Sequence, residues 1–294
     1  MKSLNLSENE KKEIRLCYSS DETNVIAILK TLRPISYFLS LLEHQVYFEI
    51  LKNNRLTIYF QPIVDLKNRK IYGFECLTRG VKGNGEILSP GYLFEAARVT
   101  DTLFYLDRSC RETAIKLAAV KGLKNYKVFI NFLPTVIYDP QFCLQSTIKW
   151  AYQLEWIPDN LVFEVVETEK ITDLSHLRNI LDYYRKNGFQ VALDDVGTGY
   201  SSLDALINLY PNYIKISREL IREIHLNPIK RDLFKALVEV ATAHNILVLA
   251  EGVETLEEAK SLYNLGIYLM QGFLFAKPNP EPIYELPMLK NFTL

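Results

Sequence analysis

The chain has 294 residues, 48% of them hydrophobic, enough for a sizeable core and close to one α/β barrel of about 250 residues. A formal net charge of −1 excludes a polybasic protein that coats nucleic acid or a membrane surface, so an anionic substrate would need local cations or metal. Cys17, Cys76, Cys110 and Cys143 are scattered with no CxxC spacing, which excludes a zinc ribbon or a disulfide framework and points to a reducing compartment.

Residues 1–12 are polar and lack the apolar stretch of a secretory signal. No uncharged run approaches the roughly 18 residues of a membrane span, so the expected location is the cytoplasm. Further on, Ile35, Phe38, Leu39, Leu42, Val46 and Ile50 recur at helical spacing. About forty residues rarely build a core of their own, so residues 1–44 read as an N-terminal helical extension of a domain covering 45–294.

From residue 56 onward, short apolar, β-branched runs alternate with amphipathic stretches. The runs are 56–64, 71–77, 128–131, 161–166, 191–195, 213–216, 246–251 and 267–270; helical patterns occupy 90–99, 103–119, 141–154, 174–187, 202–209, 231–244 and 256–265. Strand alternating with helix implies a mainly parallel sheet with both faces covered. Eight strands in this length favour a closed barrel. Only Asp65-Leu-Lys-Asn-Arg-Lys separates the first two runs. Parallel neighbours need a crossover of about a dozen residues or more, so this pair should be an antiparallel hairpin. The expected fold is a modified (β/α)8 barrel with one reversed strand near its start.

Polar residues cluster at the C-terminal ends of these runs: Glu75, Asn131, Glu164, Asp194 with Asp195, Lys215, Glu251 and Gln271. In a barrel such ends converge on one mouth, where barrel active sites lie. Any single acid there could be a helix cap, but coincidence at seven strand ends is hard to explain that way. Five carboxylates facing one mouth, beside two amides, would repel strongly without cations. The donors are all oxygens, a set that selects Mg²⁺ or Mn²⁺ over Zn²⁺ or Cu²⁺. Asp194 and Asp195 could bridge two ions about 4 Å apart, the spacing of two-metal phosphoesterases. His44, His176, His225 and His244 lie on helical stretches away from the strand ends and read as ordinary surface or core histidines.

Gln61-Pro-Ile-Val, Glu75-Cys-Leu-Thr-Arg, Asn131, Glu164-Val-Val-Glu, Asp194-Asp-Val-Gly-Thr-Gly-Tyr-Ser-Ser-Leu, Lys215, Glu251-Gly-Val-Glu, Gln271-Gly-Phe-Leu and Lys277-Pro278 together resemble the EAL domain, in order as well as content, over about residues 45–280. That family consists of cyclic di-GMP phosphodiesterases on a modified TIM barrel. The resemblance implies an enzyme that opens one phosphodiester of cyclic di-GMP to give linear pGpG, using a water activated by two metal ions. It implies that Glu75, Asn131, Glu164 and Asp194 bind the first metal, and Asp195 the second, with Asp194 bridging. Glu251 would ligate a metal or hold its water, Lys215 would orient the attacking water, and Gln271 would support that region. Arg79 matches the arginine that contacts substrate phosphate, and Gln61 would line the nucleotide site. Glu167 matches a glutamate that steadies the loop after Asp195. In the family that loop and the next helix form a dimer interface, so a homodimer is expected, and residues 1–44 offer a surface for a regulatory partner.

The chain departs from the family pattern at Cys76, Val166, Val196, Asn212 and Ser217. The last stands where an aspartate is usual, two residues after Lys215. The alternatives are a non-catalytic cyclic di-GMP receptor and a partner-binding protein that has lost both activities.

Overall fold

The computed structural model describes residues 6–17, 25–165, 173–196 and 202–290. The chain forms two compact units. One is drawn from Met1–Leu56 and Arg79–Leu106, the other from Thr57–Thr78 and Asp107–Leu294.

The second unit is built on eight strands: β1 (Leu56–Asp65), β2 (Lys70–Val81), β3 (Lys127–Phe132), β4 (Leu161–Val165), β5 (Gln190–Val196), β6 (Tyr213–Ile216), β7 (Leu247–Ala250) and β8 (Leu269–Met270). They run in the order β1-β8-β7-β6-β5-β4-β3-β2, and pairing of β1 with β2 closes the barrel. From β2 round to β8 neighbours are parallel. β1 is the reversed strand: it pairs antiparallel with β8, Leu269 opposite Asp65. The turn between β1 and β2 is tied by Asp65, which accepts from the Asn68 backbone N–H at 3.0 Å and its side-chain amide at 2.6 Å. The predicted hairpin and its reversed strand are therefore both present.

Ile63, Phe129, Val162, Ala192, Tyr213, Leu249 and Leu269 fill the barrel interior. Tyr72 packs against this layer, and its hydroxyl lies 2.7 Å from that of Tyr213. Outside, helix Leu174–Lys186 covers β4: Tyr184 stacks on Phe163 with ring centroids 4.1 Å apart and meets Phe132 edge-on. Such aromatic contacts add to the area they bury.

In the first unit, the last residues of β2 pair antiparallel with the short strand Ile87–Leu88. Ile50 and Leu93 crowd against Gly80, each 3.0 Å from where a β-carbon would stand. Tyr47 hydrogen-bonds Thr102 at 2.8 Å. The periodicity over 35–51 predicts one helix; there are two, Ile35–Glu43 and Gln45–Lys52, separated at His44, whose backbone leaves the helical region (φ −106°, ψ 30°). The N-terminal region also contains a two-stranded antiparallel ribbon, Arg15–Leu16 with Arg33–Pro34, too short for a period-two pattern to reveal. Helix Glu8–Glu13 begins in a capping box between Ser7 and Glu10.

Two helices of the second unit also differ from their predicted bounds. The stretch 141–154 divides into Pro140–Cys143 and Gln145–Gln153. The helix predicted to begin at 231 starts at Pro228, because Asn227 caps the Lys230 amide and proline suits the first helical turn.

Candidate active site

The interior layer dictates where the polar residues point. Side chains on one face of a strand recur every second residue. On six strands the residue two beyond an interior apolar one is polar: Asn131 after Phe129, Glu164 after Val162, Asp194 after Ala192, Lys215 after Tyr213, Glu251 after Leu249, and Gln271 after Leu269. β1 runs the other way, so its contribution, Gln61, lies two residues before Ile63. Glu251 and Gln271 fall just past their strands, yet their backbones stay in register. Glu251 N–H donates to Ile216 at 3.0 Å and Gln271 N–H to Ala250 at 2.8 Å. The predicted site residues Gln61, Glu75, Asn131, Glu164, Asp194, Asp195, Lys215, Glu251 and Gln271 thus all belong to the barrel unit.

Adjacent residues in a regular strand face opposite ways, which would separate Asp194 from Asp195. A β-bulge brings them together. On β5 three steps separate Leu193 from Val196, while only two separate their β6 partners, Ile214 and Ile216. Asp195 takes up the extra residue with φ +52°, a left-handed conformation uncommon outside glycine, though aspartate tolerates it better than most. As a result Asp194, Asp195 and Glu251 can each offer an oxygen within 4.8 Å of the others.

Lys215 is fully buried among these acids. Its Nζ lies 2.5 Å from Glu251, 3.0 Å from Glu164, 3.6 Å from Asp194 and 3.7 Å from Glu75. Burial alone would lower its pKa. The carboxylates of Asp194, Glu164, Glu251 and Glu75 outweigh it and hold the ammonium well above the usual lysine value. One ammonium does not neutralise the group. Burial, then repulsion from Glu75, Asp194 and Glu251, drives Glu164 well above the usual carboxylate range despite Lys215. Burial and the neighbouring acids likewise push Glu251 to about 8. Glu75 goes the other way. Burial opposes its charge, but the Lys215 ammonium and the hydrogen bonds from Gln271 and Asn131 hold its pKa below the usual value.

The two amides act on Glu75. Asn131 Nδ2 donates to it at 3.0 Å, and Gln271 Nε2 donates at 2.6 Å. Gln271 Nε2 also reaches Gln61 Oε1 at 3.0 Å, and Gln61 in turn donates to the Ala276 carbonyl at 3.2 Å. Gly272 allows this: a β-carbon there would stand 2.0 Å from the Val253 carbonyl oxygen, so only glycine lets the two backbones approach. The side-chain Oε1 of Gln271 is buried with no hydrogen-bond partner. An orphaned acceptor and an excess of carboxylates are a donor set that suits a hard divalent cation.

Arg79 lies four residues beyond Glu75 on the same strand, half-buried, in the chain's other compact unit. Glu167 and the predicted loop after Val196 lie outside the described residues.

A buried support behind Asn131 is not evident in the sequence reading. Asp107 accepts from the Leu133 backbone N–H at 2.9 Å, just past Asn131, and pairs with Arg111 at 2.8 Å, which also donates to Thr147. Arg111 is wholly buried. The available signal was an acid and an arginine four residues apart within the otherwise apolar face of the stretch 103–119.

Residues 44–278 match the model of the EAL domain family. A standalone versatile EAL protein from Vibrio cholerae O395, solved in its c-di-GMP bound form, is 37% identical; the match covers 80% of this chain and 97% of that one, with a TM-score of 0.72. Klebsiella pneumoniae BlrP1, solved as a manganese/cy-diGMP complex, is 30% identical with a TM-score of 0.70, covering 89% of this chain and 71% of that one. Cyclic di-GMP phosphodiesterase PdeR of Escherichia coli K12 is 30% identical over 239 residues, 80% of this chain and 36% of PdeR. The chain spans 30 to 45% of the length of the first curated relatives it matches. Among the described residues no helix is long and apolar enough to cross a membrane. With 44–278 matched and the barrel and its ring of strand-end acids in place, the chain belongs to the EAL domain family.

Proposed function

We propose that this chain is a divalent-metal-dependent phosphodiesterase that hydrolyses cyclic di-GMP to linear pGpG. The observation that carries the reading is the ring of strand-end carboxylates around Lys215, with Asp194, Asp195 and Glu251 close enough to share a cation. Glu75, Asn131, Glu164 and Asp194 would hold one Mg²⁺ or Mn²⁺, and Asp194, Asp195 and Glu251 a second. Bound there, the ions would supply Lewis acidity and lower the pKa of water.

The chain's own groups do the rest. Lys215 orients the attacking water and offsets charge on the phosphoryl oxygens. Arg79 binds a substrate phosphate, and Gln61 lines the nucleotide. Gln271 and Asn131 fix the Glu75 carboxylate through their amide hydrogen bonds. Glu167 steadies the loop after Asp195. No step needs a covalent intermediate. The catalytic domain is 45–294, with 1–44 as an extension that engages a regulatory partner. The protein works in the cytoplasm as a homodimer, a state that sedimentation would test.

Replacing Glu75 or Asp194 with alanine tests the assignment: hydrolysis should disappear while the fold persists, and unchanged turnover in either variant would overturn it. Ser217, where the family pattern has aspartate, favours a second reading, a receptor that binds cyclic di-GMP without cleaving it. Tight binding with no product in saturating Mg²⁺ and Mn²⁺ would select that reading.

A further inference from the structure

Ser217 occupies a position whose chemistry the fold does not use. It precedes helix Arg218–Ile221 as its N-cap residue, where a serine hydroxyl ordinarily accepts from a backbone N–H of the first turn. Here the side chain makes no cap hydrogen bond. It is 4% exposed, and its Oγ has no hydrogen-bond partner. A buried hydroxyl left unsatisfied is rare and calls for a reason.

Its place in the barrel supplies one. The backbone at Ser217 is extended (φ −62°, ψ 152°), so the alternation of β6 continues and Ser217 shares the inward face of Lys215. β6 lies between β5 and β7 in the sheet. Val196 and Ala250 both pair with Ile216, and the Glu251 N–H donates to the Ile216 carbonyl. Asp194 and Asp195 come from β5, and Glu251 follows β7. The three carboxylates that can share a cation therefore straddle the end of β6, and the residue at that end is Ser217.

We propose that Ser217 is a positioning residue of this cation site, its unused hydroxyl hydrogen-bonding the hydration of the ion held by Asp194, Asp195 and Glu251. This rests on the metal-site reading above and adds a neutral oxygen to it. Hydrogen-bond partners just outside a metal's ligands typically change affinity by about 10- to 100-fold when removed; a single neutral hydroxyl belongs at the lower end.

The test is calorimetric titration of Mn²⁺ alone into the wild type, Ser217→Ala and Ser217→Thr, with thermal unfolding of each metal-free protein. The expected result is about tenfold weaker Mn²⁺ binding by Ser217→Ala, recovery in Ser217→Thr, and a metal-free melting temperature for Ser217→Ala equal to or above wild type, because the hydroxyl has no partner to lose. A merely structural serine would lower that temperature and leave affinity unchanged, which would overturn the inference. Equal Mn²⁺ affinity in wild type and Ser217→Ala would also overturn it while leaving the metal site standing. Absence of Mn²⁺ binding by the wild type would overturn both.

Discussion

The backbone N–H of Asp195 donates to the Oδ1 of Asp194, the residue before it, at 2.9 Å, across a backbone that turns left-handed at Asp195. This local closure lets two consecutive aspartates serve one site on a strand whose pleat would otherwise separate them. In the proposed site the Asp195 carboxylate holds a metal ion, while its backbone carries a conformational cost.

Those two roles separate by mutation. Asp195→Gly should hold the fold within about 1 kcal/mol of wild type, on the stabilising side, because glycine accepts positive φ freely. Asp195→Val should destabilise by about 1–3 kcal/mol, since a β-branched side chain fits that region poorly. Both should lose Mn²⁺ binding and turnover. Thermal unfolding with Mn²⁺ titration checks this; equal destabilisation by the two variants would show that the bulge does not govern the site.

Asp107 and Arg111 predict a different pattern, a large stability effect from residues that carry no chemistry. Burial raises the Asp107 pKa despite the Arg111 guanidinium and the Leu133 N–H, so this is a pair placed at a cost. Arg111→Met should cost about 3–5 kcal/mol by stranding a buried carboxylate, and the double variant Asp107→Asn, Arg111→Met should recover part of it. Urea unfolding measures both. A cost under about 1 kcal/mol for the single change would mean the pair is not the support of the Asn131 strand end.

Glu258 clamps the turn after Glu251. Its carboxylate accepts from the backbone N–H groups of Glu254, Thr255 and Glu223 at 3.0, 3.1 and 3.2 Å. Burial opposes its charge, but those hydrogen bonds hold its pKa below the usual 4.5. A carboxylate depressed in the folded state contributes stability above its unfolded pKa and loses it as pH falls through the folded value. Glu258→Gln should therefore cost about 1–3 kcal/mol near neutral pH. The difference from wild type should shrink as pH drops below 4.5. Denaturation across that range provides the check, and a gap that widens in acid would contradict the clamp.

The site was legible wherever period-two patterning governed it. An apolar interior residue followed two positions later by a polar one repeats on strand after strand, and the six residues between the first two apolar runs required a reversed strand. The bulge was not legible, because Asp-Asp in sequence does not reveal a positive φ. Nor was the break at His44, where hydrophobic spacing continues straight through. The idle hydroxyl of Ser217 escaped for a related reason. Sequence marks it as a departure from aspartate, but only three-dimensional packing shows that the side chain neither caps its helix nor finds a partner. Asp107 and Arg111 read as an ordinary helical pair until their burial is known.

The most direct measurement is to incubate the purified protein with cyclic di-GMP and Mg²⁺ or Mn²⁺ and separate the products by chromatography. Linear pGpG is the expected product, suppressed by EDTA. Intact cyclic di-GMP under both metals, from folded protein, would contradict it.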